Sequence, residues 1–138
     1  MRKNNRSKEA IITFEEKILF LVQTLLEKNA DKIVGFDLRK LDGVIIDGFL
    51  VCSGLSEQHV ASIAEHLRVR MKESGNPARH IEGENTNQWV LVDGHDIVIH
   101  IFLDETRDFY RLENLWAHAE RIEFDTNRPD IQIKRLES

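Results

Sequence analysis

The chain has a single cysteine, Cys52, so no disulfide can form within it and a reducing compartment is its natural setting. Cys52 lies in the apolar run Phe49-Leu50-Val51-Cys52 with no evident activating partner, and it reads as a buried structural thiol rather than a nucleophile. No apolar stretch approaches the ~20 residues that a membrane span needs, so no membrane role is expected. The opening Met-Arg-Lys-Asn-Asn-Arg-Ser-Lys leads into no apolar signal region with a small-residue cleavage site. Residues 1–12 are therefore read as a basic, frayed tail. Cys-x-x-Cys and His-Glu-x-x-His patterns are also missing, so the six histidines suggest no metal site. His95 and His100, if both in one strand, fall on opposite faces, because their separation is odd.

What is present describes one soluble domain. The chain has 138 residues, of which 41% are hydrophobic and 31% charged, enough for a single real core. Its net charge is −5, unevenly spread. Arg2, Lys3, Arg6 and Lys8 against Glu9 give residues 1–13 a net +3, which leaves −8 on the remainder. A body this acidic repels phosphate and suits a basic protein partner, so nucleic acid is not the expected main ligand.

Thr13-Phe14-Glu15-Glu16 has the form of a capping box, and Phe14, Ile18, Leu21, Val22, Leu25 and Leu26 follow at helical spacing. The first helix is expected from Phe14 to about Lys28. Residues 33–38 and 48–53 read as strands, the second buried on both faces because its run does not alternate. Ser56 is the expected N-cap of a second helix that carries Val60, Ile63, Ala64, Leu67 and Met71 and ends at Gly75 and Pro77. A short strand near His80 precedes strands at 89–92 and 97–102, which flank the turn signal Asp93-Gly94-His95-Asp96. A last helix starts near Asp104 or Thr106. The predicted fold is α/β: a mixed sheet of about five strands with helices packed on it. One domain over 13–123 is expected, followed by a polar tail over 124–138 with an extended piece at 131–133.

The block 89–116 concentrates aromatic, arginine and carboxylate side chains without a nucleophile–base pair, a metal cluster or a phosphate loop. Trp89, Tyr110 and Trp116 each carry a polar atom that needs a partner, and Arg107, Arg111 and Glu113 share a helix with Tyr110. That mixture is what protein interfaces favour. The candidate partner-binding residues are Trp89, Leu91, Asp93, Arg107, Tyr110, Leu112, Glu113 and Trp116. His100, between Ile99 and Ile101, reads as a hydrogen-bonded histidine in the sheet or at its rim. Gly54-Leu55-Ser56, between a strand and a helix, has the setting of a phosphate-binding turn of nucleotidyltransferases. Glu57, Gln58 and His59 follow it, however, where such enzymes carry an Asp-x-Asp pair for Mg²⁺.

Five blocks in order resemble the ribosomal silencing factor family, also called the Iojap-related family. They are Asp31 to Leu38, Asp47-Gly48-Phe49-Leu50-Val51-Cys52-Ser53-Gly54-Leu55-Ser56, Glu82-Gly83 with Trp89-Val90-Leu91-Val92-Asp93, Asp96-Ile97-Val98-Ile99-His100-Ile101-Phe102, and Arg107-Asp108-Phe109-Tyr110-Arg111-Leu112-Glu113-Asn114-Leu115-Trp116. The resemblance covers roughly Phe14 to Ala119. It implies a nucleotidyltransferase-like α/β domain without catalytic residues or cofactor. It further implies binding to the large ribosomal subunit through ribosomal protein L-fourteen, which obstructs joining of the small subunit and represses translation when nutrients are limiting. A cytoplasmic location and at most a minor contact to ribosomal RNA go with that reading, and a homodimer stays open. One departure is clear. After Trp-Val-Leu-Val-Asp the family usually has a bulky residue, then Gly, then Asp, whereas here Gly94, His95 and Asp96 follow. Two alternatives remain at this stage, a nucleotidyltransferase-like enzyme and a general protein-interaction domain.

Overall fold

The computed structural model describes residues 12–110, 119–126 and 131–136, with the backbone alone for 108–110, 135 and 136. Helix α1 (Phe14–Leu26) begins at the expected box: Thr13 Oγ1 accepts from the Glu16 N–H and the Glu16 carboxylate accepts from the Thr13 N–H, both at 3.0 Å. It ends short of Lys28, because Asn29 takes a left-handed φ of 59° and the Ala30 N–H turns back to Leu25 O. Strand β1 (Asp31–Asp37) follows, then β2 (Gly48–Gly54), buried along its whole length. Ser56 caps α2 (Glu57–Glu73), and Gly75 leaves that helix with a φ of +90°. The remaining elements are β3 (His80–Glu82), β4 (Trp89–Asp93), β5 (Ile97–Leu103), α3 (Asp104–Tyr110), β6 (Glu120–Asp125) and β7 (Gln132–Leu136).

Among the described residues these strands form one mixed sheet of seven, in the order β3-β4-β5-β2-β1-β6-β7. Only β2 and β5 run parallel, with Gly48 opposite Ile97 and Gly54 opposite Leu103. About five strands were expected; the additional ones are β6 and β7, the latter taking in most of the extended piece expected at 131–133. β6 reads Glu-Arg-Ile-Glu-Phe-Asp and was masked by its charge, yet Ile122 is fully buried and Phe36 lies opposite Arg121. β7 pairs with β6 as an edge strand, so the sheet extends beyond residue 123.

The sheet separates two cores. On one side α1 and α2 bury Leu50, Cys52, Val90, Val92, Ile99 and Ile101. On the other, Val34, Phe36, Phe49, Val51 and Phe102 form a second apolar layer, against which Trp89, Val98 and the connection residues Leu41, Val44 and Ile46 pack. Alternation along β4 and β5 divides their side chains between the two, as the period of two requires. No helix among the described residues is long and apolar enough to cross a membrane.

Candidate partner-binding face

Trp89, Leu91 and Asp93 alternate with the buried Val90 and Val92 along β4, so all three project toward the second core. Antiparallel pairing sets Trp89 opposite Phe102, Leu91 opposite His100 and Asp93 opposite Val98. Trp89 and Leu91 are half-buried. The Trp89 ring stacks on Phe102 with centroids 5.0 Å apart, and its indole Nε1–H donates to His100 Nδ1 at 3.1 Å. Phe49 meets the His100 ring edge-on at 4.8 Å. Burial in this aromatic setting pushes the imidazole pKa down to about 4, so the ring is neutral near pH 7. His100 is thus the hydrogen-bonded sheet histidine expected from its flanking isoleucines. The hairpin register would have shown which tryptophan it serves.

Two of the candidate residues are held inside the chain. Asp93 is 8% exposed: its Oδ2 accepts from the Arg79 guanidinium at 3.0 Å and its Oδ1 from the His95 N–H at 2.9 Å. Burial alone would raise its pKa, but the His95 N–H and Arg79 outweigh burial and hold the carboxyl below the usual carboxylate value. Arg107 is 6% exposed. Its guanidinium donates to Lys32 O and, at 3.0 Å, to Ser53 Oγ. The reason is topological: Lys32 sits at an irregularity of β1 with a left-handed φ of 51°, and this turns its carbonyl toward α3. Arg107 therefore ties α3 to the ends of β1 and β2 and is not presented as a surface arginine. Tyr110 lies in the backbone of α3, with its side chain outside the description; Leu112, Glu113 and Trp116 lie outside the described residues.

The crevice beyond the carboxyl ends of the parallel pair β2/β5 is where an open α/β sheet usually binds ligands. Here Lys32, Asp104, Arg107 and Ser53 are engaged with partners within the chain. Lys32 Nζ pairs with Asp104 at 2.8 Å, and that hydrogen bond, against an opposing effect of burial, lowers the Asp104 pKa. The Gly54–Ser56 turn is similarly engaged. The Leu55 N–H donates to His59 Nδ1 at 2.9 Å, the His59 N–H to Ser56 Oγ at 3.0 Å and the Val60 N–H to Ser56 O at 2.9 Å. Cys52 is fully buried, and burial pushes its thiol up to about 12. Among the described residues no group of three or more His, Cys, Asp or Glu side chains is placed to hold a metal ion.

The turn after β4 accounts for the departure at 94–96. His95, not Gly94, adopts the left-handed conformation, with φ 77°. A Cβ on Gly94 would lie 2.7 Å from Ile97 O and 3.2 Å from Met71 Cε, so a bulky side chain does not fit there as the chain stands. Lys17 of α1 fastens the same turn, donating to Gly94 O at 3.1 Å and pairing with Asp96.

Comparison with known proteins places these features in a family. The model of the family described as ribosomal silencing factor during starvation matches residues 11–137. A ribosomal silencing factor of Halalkalibacterium halodurans is 33% identical over 111 residues, which cover 80% of this chain and 94% of that protein. The mouse protein named mitochondrial assembly of ribosomal large subunit protein 1 is 39% identical over 75 residues, covering 51% of this chain and 32% of that one. A crystal structure of a Chromobacterium violaceum protein superposes with a TM-score of 0.72 at 30% identity, covering 76% of this chain and 87% of that one.

Proposed function

The chain belongs to the ribosomal silencing factor family, and from that membership we propose that it is a translation repressor that binds the large ribosomal subunit through ribosomal protein L-fourteen. Bound there, it obstructs joining of the small subunit and lowers translation under nutrient limitation. The large subunit as target is supported by the mouse relative's name, which refers to assembly of that subunit. The proposed location is the cytoplasm, in keeping with the bacterial relatives and the unpaired thiol of Cys52.

The observation that carries the docking face is Trp89, a large aromatic left half-buried beside Leu91 over the second apolar core. Half-buried aromatics over a packed apolar floor are the residues on which interface energy concentrates. Tyr110, Leu112, Glu113 and Trp116 are proposed to extend the face along the chain that follows β5. Arg107 and Asp93 support it from within. Action without catalysis is favoured by the engagement of Lys32, Asp104, Arg107 and Ser53 with partners within the chain at that end of the sheet, and by the Leu55 N–H of the Gly54–Ser56 turn, which is donated to His59 Nδ1.

Cosedimentation with isolated large subunits tests the reading. Wild type is expected to pellet with them and to prevent association with small subunits. Trp89→Ala should weaken binding by about 30-fold, the effect of losing an interface anchor worth ~2 kcal/mol. Tyr110→Ala should act in the same direction. Failure of the wild type to cosediment overturns the ribosomal role. Full binding by both folded variants overturns the face. Turnover of a nucleoside triphosphate with Mg²⁺ would instead support an enzyme.

A further inference from the structure

Among the described residues, one polar atom of the aromatic cluster has no hydrogen-bond partner. An indole N–H only donates, so the Trp89 bond makes His100 Nδ1 an acceptor, and in the neutral ring the proton sits on Nε2. His100 is 5% exposed, and its Nε2 meets no hydrogen-bond partner among the described residues. The described rings in contact with it, Phe49, Trp89 and Phe102, offer no acceptor. Buried donors are nearly always paired, because an unpaired one forfeits its bond to water and gains nothing in return. An apolar ring in this position would avoid that loss.

We propose that His100 is a binding residue at the floor of the partner face, and that on docking its Nε2–H is donated to a main-chain carbonyl oxygen of the protein partner. The inference rests on the docking face proposed above and assigns that face a specific hydrogen bond. Two features favour it. Leu91 lies directly opposite His100 in the strand register, and both Leu91 and Trp89 are half-buried, so side-chain shifts of the kind common on complex formation uncover the imidazole edge. The acceptor is uncharged for an electrostatic reason. A carboxylate or phosphate would have to lose its water among aromatic rings, on the strand face that already carries Asp93 and in a body with net −8 outside its first thirteen residues. A carbonyl oxygen brings no charge, and every exposed loop of a protein partner supplies some.

Two substitutions and one spectrum test the proposal. His100→Phe keeps a ring of similar size and removes both the Nε2 donor and the Nδ1 that accepts the Trp89 indole N–H. His100→Gln restores an N–H close to the position of Nε2. The expected result for His100→Phe is a melting temperature close to that of wild type, because losing the acceptor of the half-buried Trp89 indole is offset by removing the unpaired Nε2–H, with large-subunit binding weakened roughly tenfold, the scale of one hydrogen bond. His100→Gln should recover much of that loss. A histidine that only holds the Trp89 indole would instead leave its Nε2 signal unchanged when the partner binds. Nitrogen-15 spectra of the imidazole decide the matter even if His100→Phe folds poorly. On addition of purified ribosomal protein L-fourteen, the Nε2 proton should shift downfield and exchange more slowly with solvent. Binding by folded His100→Phe equal to wild type overturns the proposal, as does an Nε2 signal unchanged in the complex, or one whose contact is a retained water. Loss of wild-type cosedimentation is a separate outcome, which removes the ribosomal role itself.

Discussion

His95 holds a left-handed backbone angle at an exposed turn, a conformation that costs a non-glycine residue about 1 kcal/mol. His95→Gly keeps the backbone N–H that Asp93 Oδ1 accepts. It should therefore raise stability by up to about 1 kcal/mol, read as a melting temperature higher by ~3 °C. No gain, or a loss, would show that the imidazole makes a favourable contact of its own. Gly94→Ala should act in the opposite direction, because its Cβ would press on Ile97 O, which is backbone and cannot yield cheaply. His100 makes a prediction in pH. In the unfolded chain its ring takes up a proton near 6.5; in the folded chain it does so only near 4. Between those values the unfolded state binds more protons, so stability rises with pH across the window and declines as pH falls through it. Urea unfolding at pH 5 and pH 7.5 should show that decline in wild type, and His100→Phe should show less of it.

At the level of elements, the local signals carried furthest. The Thr13 box and the Ser56 cap were legible because each is written within four residues and satisfied within one turn. Ser56→Ala removes the acceptor of the His59 N–H and should cost about 1 kcal/mol in chemical denaturation. A null result there would mean that the His59 ring, bonded to both Leu55 N and Lys28 O, holds the turn without the serine. The strands β2, β4 and β5 were legible from apolar runs and from the turn between the last two. β6 was not, and β7 only as the extended piece at 131–133, since charged residues at alternate positions make an outer strand resemble a tail. Arg107 shows the same limit at a single position. On a helix near a tyrosine and a glutamate it reads as an interface arginine. Its burial depends on the carbonyl of Lys32, 75 positions earlier, and on a backbone irregularity that no local pattern announces. Asp93 was legible as a turn residue, but its pairing with Arg79 was not.

For the molecule as a whole, charge sets the expected encounter. The acidic body should be steered to a basic protein surface, and steering weakens as salt shortens the screening length, ~8 Å at physiological ionic strength. Association with large subunits should slow as salt rises, and Glu113→Lys should slow it further; salt-independent association would remove steering from the account. Deleting residues 1–10 should change affinity by less than ~1 kcal/mol, as for exposed ion pairs, and a larger loss would shift the weight of binding to ribosomal RNA. The position of β2 has a further consequence, for the way the chain comes together in time. One edge of β2 pairs with β1, its near neighbour in sequence, but the other waits for β5, where Gly48 meets Ile97. Closing a loop of about fifty residues is paid in entropy before any contact repays it, which places folding among the slower, non-local topologies. A chain emerging from its amino end must therefore present the run Phe49-Leu50-Val51-Cys52 with one strand edge open until β5 has been made, and that interval is when this protein is most exposed to aggregation.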